Sequence, residues 1–111
     1  AIFTTAATAV GPKFSLAGPV GGVLTSWRSE IELTGGPSTS AVNVKSQTAA
    51  DAEHVTASVD QANTPRVARL QGSWLNGATA GFLRLRFASE VAGTNITIKR
   101  GSWGVVYPLG A

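Results

Sequence analysis

Apolar and polar residues in this chain alternate with period two in short runs, and no stretch of a dozen residues carries the i, i+3, i+4, i+7 apolar stripe of an amphipathic helix. Period two is the signature of strands, whose successive side chains point to opposite faces of a sheet. Within residues 23–33 the odd positions Val23, Trp27, Ile31 and Leu33 share one face with Thr25 and Ser29 between them, while Arg28, Glu30 and Glu32 share the other. The same reading points Val42 and Val44 inward in a strand at 41–46, and Val55, Ala57 and Val59 inward in a strand at 54–60. Residues 67–75 set Ala68, Leu70 and Trp74 against Arg69, Gln71 and Ser73, and residues 82–88 set Leu83, Leu85 and Phe87 against Arg84 and Arg86. The intervening Asn76-Gly77-Ala78-Thr79-Ala80-Gly81 predicts an antiparallel hairpin between these two strands. A strand at 95–99 follows, and after Gly101 a last strand places Trp103, Val105, Tyr107 and Leu109 on one face.

Thirteen Gly and five Pro, several of them paired as in Gly11-Pro12, Gly18-Pro19 and Gly35-Gly36-Pro37, supply the turns between these runs. About eight short strands at this spacing predict an all-β fold, an antiparallel two-sheet, jelly-roll-like sandwich. The chain of 111 residues is the length of one domain, residues 1–111. Its 43% hydrophobic and 14% charged residues are enough to build a core and argue against disorder. No apolar run approaches the ~20 residues of a membrane-spanning helix, so the expectation is a soluble domain with no membrane partner. The first residue is Ala1 and not Met, which reads as a processed chain or a piece of a longer one.

Candidate chemistry is sparse. With no Cys, a disulfide framework, a thiolate metal site and a thiol nucleophile are all excluded. A Ser-His-Asp arrangement would need the single histidine, His54, whose position between Glu53 and Val55 reads as a polar-facing strand site, with no nucleophile-elbow pattern at any serine. Glu30 and Glu32 share a face, but two carboxylates on a sheet surface are ordinary, and Asp51-Ala52-Glu53 is too thin for a calcium cage. The expectation is a non-enzyme with no catalytic residue, no metal and no cofactor.

Charge is uneven. Between Arg66 and Arg100 stand six basic residues against Glu90 alone, while the first sixty residues hold five acids and three bases. Arg84 and Arg86 with Phe82, backed by Lys99 and Arg100, form a candidate single-strand nucleic-acid stripe, ranked last because net charge is only +3 and no binding motif accompanies it. Trp27, Trp74 and Trp103 are candidate sugar-stacking platforms, but each falls in phase with its strand's aliphatic residues and so reads first as core.

Residues 69–109 are more particular. Gly77-Ala78-Thr79-Ala80-Gly81, Phe87-Ala88-Ser89-Glu90, Thr94-Asn95-Ile96-Thr97-Ile98 and Gly101-Ser102-Trp103 resemble the C-terminal end of a group of small structural proteins of tailed bacteriophages and prophages. The match is close over the last third of the chain, and residues 10–19 fit the group more loosely. The resemblance implies a jelly-roll or tumour-necrosis-factor-like sandwich on the virion surface, in capsid decoration or a fibre head, assembled as a homotrimer with other virion proteins as partners. It carries over no catalytic residue. Arg84 and Arg86 depart from it, since many relatives have neutral polar residues there.

In such a trimer Phe82 and Val106 would lie at the three-fold interface, and Arg84 or Arg86 would meet Glu30 or Glu32 of a neighbour. The alternative from another class is a carbohydrate-binding or host-receptor adhesion module built on Trp27, Trp74 or Trp103, with a host surface glycan as partner. Recognition would fall to loops at 35–40, 47–53 and 88–94.

Overall fold

The computed structural model describes residues 1–33, 42–50 and 52–108, and the described chain is all-β with no helix. Eight strands run β1 Ile2–Thr5, β2 Pro12–Ala17, β3 Val23–Glu32, β4 Val42–Gln47, β5 His54–Val55, β6 Arg66–Leu75, β7 Arg84–Ser89 and β8 Ile96–Ile98. They form a five-stranded sheet in the order β4-β3-β6-β1-β8 and a three-stranded sheet in the order β5-β2-β7, every pair antiparallel. Among the described strands only β3 and β4 follow one another within a sheet, and every other connection changes sheet, as in a jelly-roll-like sandwich.

The core lies where the two layers face. Phe3 of β1, Phe14 of β2, Ile31 of β3, Ala68 of β6 and, from the connection before β6, Val59 are buried together, with Leu33, Leu70, Ile96 and Ile98 packed against them. A second cluster joins Leu16 of β2 to Leu24 and Trp27 of β3, and Leu70 touches both clusters. The rings of Phe3 and Phe14 meet edge to face at 6.1 Å, so the central strand of the small sheet is keyed directly into the large one.

The order and length of most strands follow the alternation, but its phase fails in three places. In β3 a bulge between Leu24 and Ser26 shifts the register against β6, so Leu24 is buried and Val23 faces solvent, the reverse of the expected inward Val23. In β4, Val42 and Val44 point outward, because they stand opposite Glu32 and Glu30 on the outer face; Asn43, opposite Ile31, takes the inner side. The expected strand at 54–60 shortens to β5, with His54 and Thr56 inside and Val55 and Ala57 outside, and only Val59 is buried as expected. Thr56 faces inward because its hydroxyl donates to the Pro12 carbonyl at 2.9 Å.

The hairpin expected between 67–75 and 82–88 is not formed. β6 belongs to the large sheet and β7 to the small one, so residues 76–83 bridge the layers instead of turning back within one. The last expected strand is also absent: residues 102–108 enter no strand, and Leu109 and the loop at 35–40 lie outside the described residues.

Phe14 is the side chain on which both layers converge. Phe14→Ala is expected to cost about 3–5 kcal/mol in urea denaturation, whereas Val44→Ala on the outer face of β4 should stay within about 0.5 kcal/mol.

Candidate functional site

Among the described residues, the arrangement that resembles catalytic machinery is buried. His54 is 1% exposed and Ser29 0% exposed, which corrects the expectation of a surface histidine. Ser29 lies inside β3 and Asn43 on the inner side of β4, so β5 brings His54 down onto two strands of the opposite sheet. Asn43 Oδ1 lies 2.8 Å from His54 Nε2 and can only accept, so Nε2 carries the proton and Nδ1 accepts from the Ser29 hydroxyl. A hydroxyl on an imidazole nitrogen is the contact a nucleophile makes with its base. Here both side chains are buried, and the triplet acts as a polar staple between sheets. Among the described residues no group of three His, Asp or Glu side chains is placed to hold a metal ion.

The tryptophans separate. Trp27 is buried in the second core cluster, and Trp74 packs against it, its indole held between Gly18 and Gly22. A Cβ at Gly18 would come within 2.3 Å of the Trp74 ring and one at Gly22 within 2.5 Å, so the turn closes on the indole only without side chains there. Trp27 is buried and Trp74 partly buried, so neither stands out as an exposed stacking platform. Trp103, expected in the core, is 83% exposed instead. Trp27 and Gln47 also line an open groove together with Ser46, Thr48, Gln71 and Ser73, and the buried Trp27 Nε1 and Gln47 Oε1 have no hydrogen-bond partner.

The charged candidates fall on opposite outer faces. Glu30 accepts from Arg28 at 2.9 Å, and Glu32 accepts from the Val67 amide at 3.1 Å, both on the outside of the large sheet. Arg84 and Arg86 are on the outside of the small sheet, where the Arg84 guanidinium stands 6.0 Å from the Phe82 ring centroid and Arg86 flanks the Lys13–Glu53 ion pair. A meeting of these arginines with Glu30 or Glu32 therefore requires two copies. The basic stripe is divided as well, since Lys99 and Arg100 follow β8 of the large sheet and Arg66 is buried in an ion pair with Asp60.

What the structure adds is uncovered apolar surface. Leu85 and Phe87 stand opposite Leu16 and Phe14, so they share the inner face of the small sheet, yet they are 48% and 49% exposed. Leu83 is also exposed, as are Phe82, Trp103, Val105, Val106 and Tyr107. The alternation puts Leu85 and Phe87 on the inner side with Leu16 and Phe14, but Leu83, Leu85 and Phe87 do not fill the core as their phase implies, because alternation does not encode whether anything lies across from that face.

Comparison of the chain with protein-family models, with curated proteins and with solved structures returned no match.

Burial, and secondarily the charge of Lys45, hold the His54 imidazole below its usual value of 6.5. The folded state therefore favours neutral His54, and its contribution to stability is complete above pH 6.5 and lost as pH falls through 6.5 toward the lowered value. Thermal melts from pH 7.5 to about 5, above the carboxylate range, should show a falling midpoint, and His54→Gln should flatten that slope while lowering stability at pH 7.5. An unchanged slope in His54→Gln would assign the effect to other groups.

Proposed function

We propose that this chain is a non-enzymatic, oligomeric jelly-roll module of the virion surface, of the kind that decorates a tailed-phage capsid or forms a fibre head. The observation that carries the oligomeric part is the apolar surface left open on β7 and on residues 103–107. Each such side chain gains about 1.5–3 kcal/mol on full burial, and soluble monomers rarely leave large groups of them in water. A small sandwich without disulfides gains stability when a neighbour covers such a face. The phage assignment rests on the motifs of residues 69–109, and within it a homotrimer is the assembly the resemblance implies.

Light scattering should return about three times the 11.3 kDa chain mass. Acrylamide should quench Trp103 poorly in that assembly, with Trp103→Phe isolating its signal from the buried Trp27. A monomer at micromolar concentration with a freely quenched Trp103 would sink the oligomeric reading.

Carbohydrate binding is the second reading, and the groove beside Trp27 is what favours it. Its hydroxyls and amides, with the unpartnered Trp27 Nε1 and Gln47 Oε1, suit sugar hydroxyls better than apolar ligands. On this reading a glycan array gives a specific hit that Gln71→Ala weakens about tenfold or more, and an array without hits removes it.

A further inference from the structure

We propose that residues 103–107 of one copy add as a strand to the free edge of β7 in a neighbouring copy, laying Trp103, Val105 and Tyr107 beside that copy's Leu83, Leu85 and Phe87. The proposal rests on the oligomeric reading above and specifies its contact.

The receiving site is defined by two deficits. Among the described strands β7 pairs with β2 alone and ends the small sheet, so its other side is a sheet edge. Its inner face is apolar and uncovered. β5 lies over β3 and β4 through His54, and Phe14 and Leu16 of β2 occupy the centre of the core, so β7 falls beyond the part that the small sheet closes.

The entering segment has the complementary features. Residues 103–107 alternate Trp, Gly, Val, Val, Tyr, carry no charge, and belong to no strand. Trp103, Val105 and Tyr107 share a face by parity, which is the face that would continue the inner surface of β7. Pro108 has no amide proton and ends the pairing there. Directly before the segment, Gly101 turns the chain at φ +91°, and the Ser102 hydroxyl accepts from the Ile2 amide and donates to the Lys99 carbonyl, both at 2.9 Å. That clasp fixes the root of the segment to β1 of its own chain. From this root the segment does not settle on its own sandwich, since Trp103 and Tyr107 remain 83% and 74% exposed.

Each exchanged strand sets Trp103, Val105 and Tyr107, 83%, 56% and 74% exposed, beside Leu83, Leu85 and Phe87, 40%, 48% and 49% exposed, which brings together on the order of several hundred Å² of apolar surface. Two reciprocal exchanges double it, toward the range of stable interfaces. Giver and receiver are different surfaces, so the contact also closes as a ring of three. Arg84 and Arg86 face the other way on β7, so the contact buries no charge.

The chain has no cysteine, so introduced pairs report alone. Leu85→Cys is mixed and oxidised with each of Trp103→Cys, Val105→Cys and Tyr107→Cys, the two chains tagged to differ in mass, and light scattering is run on the full chain and on residues 1–102. The expected result is a disulfide-linked mixed pair in at least one combination and a monomeric 1–102 chain. A 1–102 chain that keeps the full chain's oligomeric mass overturns the strand exchange and leaves the oligomeric reading standing, whereas a monomeric full chain overturns both. No mixed pair in any combination also overturns the exchange, even where the shortened chain fails to fold. So does a Leu85→Cys, Val105→Cys double variant that closes only within one chain.

Discussion

The pairing of β3 with β6 is the constraint on which the rest of the sandwich depends. Both strands are ten residues long, they pair along most of that length, and they occupy the middle of the large sheet with β4 on one side and β1 on the other. Their inner side chains, Trp27, Ser29 and Ile31 from β3 and Ala68 and Leu70 from β6, contribute to both core clusters and to the polar staple. The bulge at Leu24–Ser26 belongs to the same ladder. By reversing the phase it delivers Leu24 beside Trp27, where two apolar side chains meet Leu16 of the opposite layer, and it leaves Val23 outside. Register is therefore set once, in this pair, and the neighbours inherit it.

A five-stranded sheet facing a three-stranded one cannot be covered evenly, and the distribution of buried and exposed side chains follows from that inequality. Where β2 lies over the centre, Phe3, Phe14 and Ile31 are essentially fully buried. At the β5 side the layers close with polarity, since a two-residue strand offers little apolar area and His54 instead satisfies Ser29 and Asn43. At the β7 side the inner face is apolar but lacks cover. These are two solutions to one shortage of strands. The first completes itself with hydrogen bonds inside the chain, and the second leaves hydrophobic surface whose burial requires more polypeptide than the described chain brings to it.

The strands were legible in the sequence because period two is a local property, and β3, β4, β6, β7 and β8 stand close to where the alternation places them. The all-β class and the two antiparallel layers follow from it. What alternation does not encode is which sheet a strand joins. Residues 76–81 have the composition of a hairpin turn, yet β6 and β7 separate into different layers, because β7 finds its partner in β2, sixty-seven or more residues earlier. Nor does alternation say which of two faces is inward when both contain apolar and polar residues. Val42 and Val44 lost to Asn43 because the buried imidazole of His54 needed an acceptor at that edge, and Val55 lost to His54 and Thr56 for the same kind of reason. A single histidine in a strand carries no local sign of such a partner. Trp103 was misplaced in the core on phase alone, though the phase itself, shared with Val105 and Tyr107, stands as a property of the segment.

The glycine- and serine-rich stretches of the last third have a physical meaning in this fold, and it is a meaning about junctions. The Gly-Ala-Thr-Ala-Gly stretch carries the chain from the large sheet to the small one, Ser89 and Thr94 close the connection from β7 back to β8 with a 2.6 Å contact between hydroxyls, and Gly101-Ser102 turns the chain and ties it to β1. Each sets a path rather than placing a reactive group. The outward side chains between these junctions are not required by the fold. Arg84 and Arg86 are of that kind, outward on β7 and outside both core clusters. The identity of a partner would then be written in such positions and in the loops, while the capacity to have one at all is written in Leu83, Leu85, Phe87 and the uncharged segment that follows Ser102.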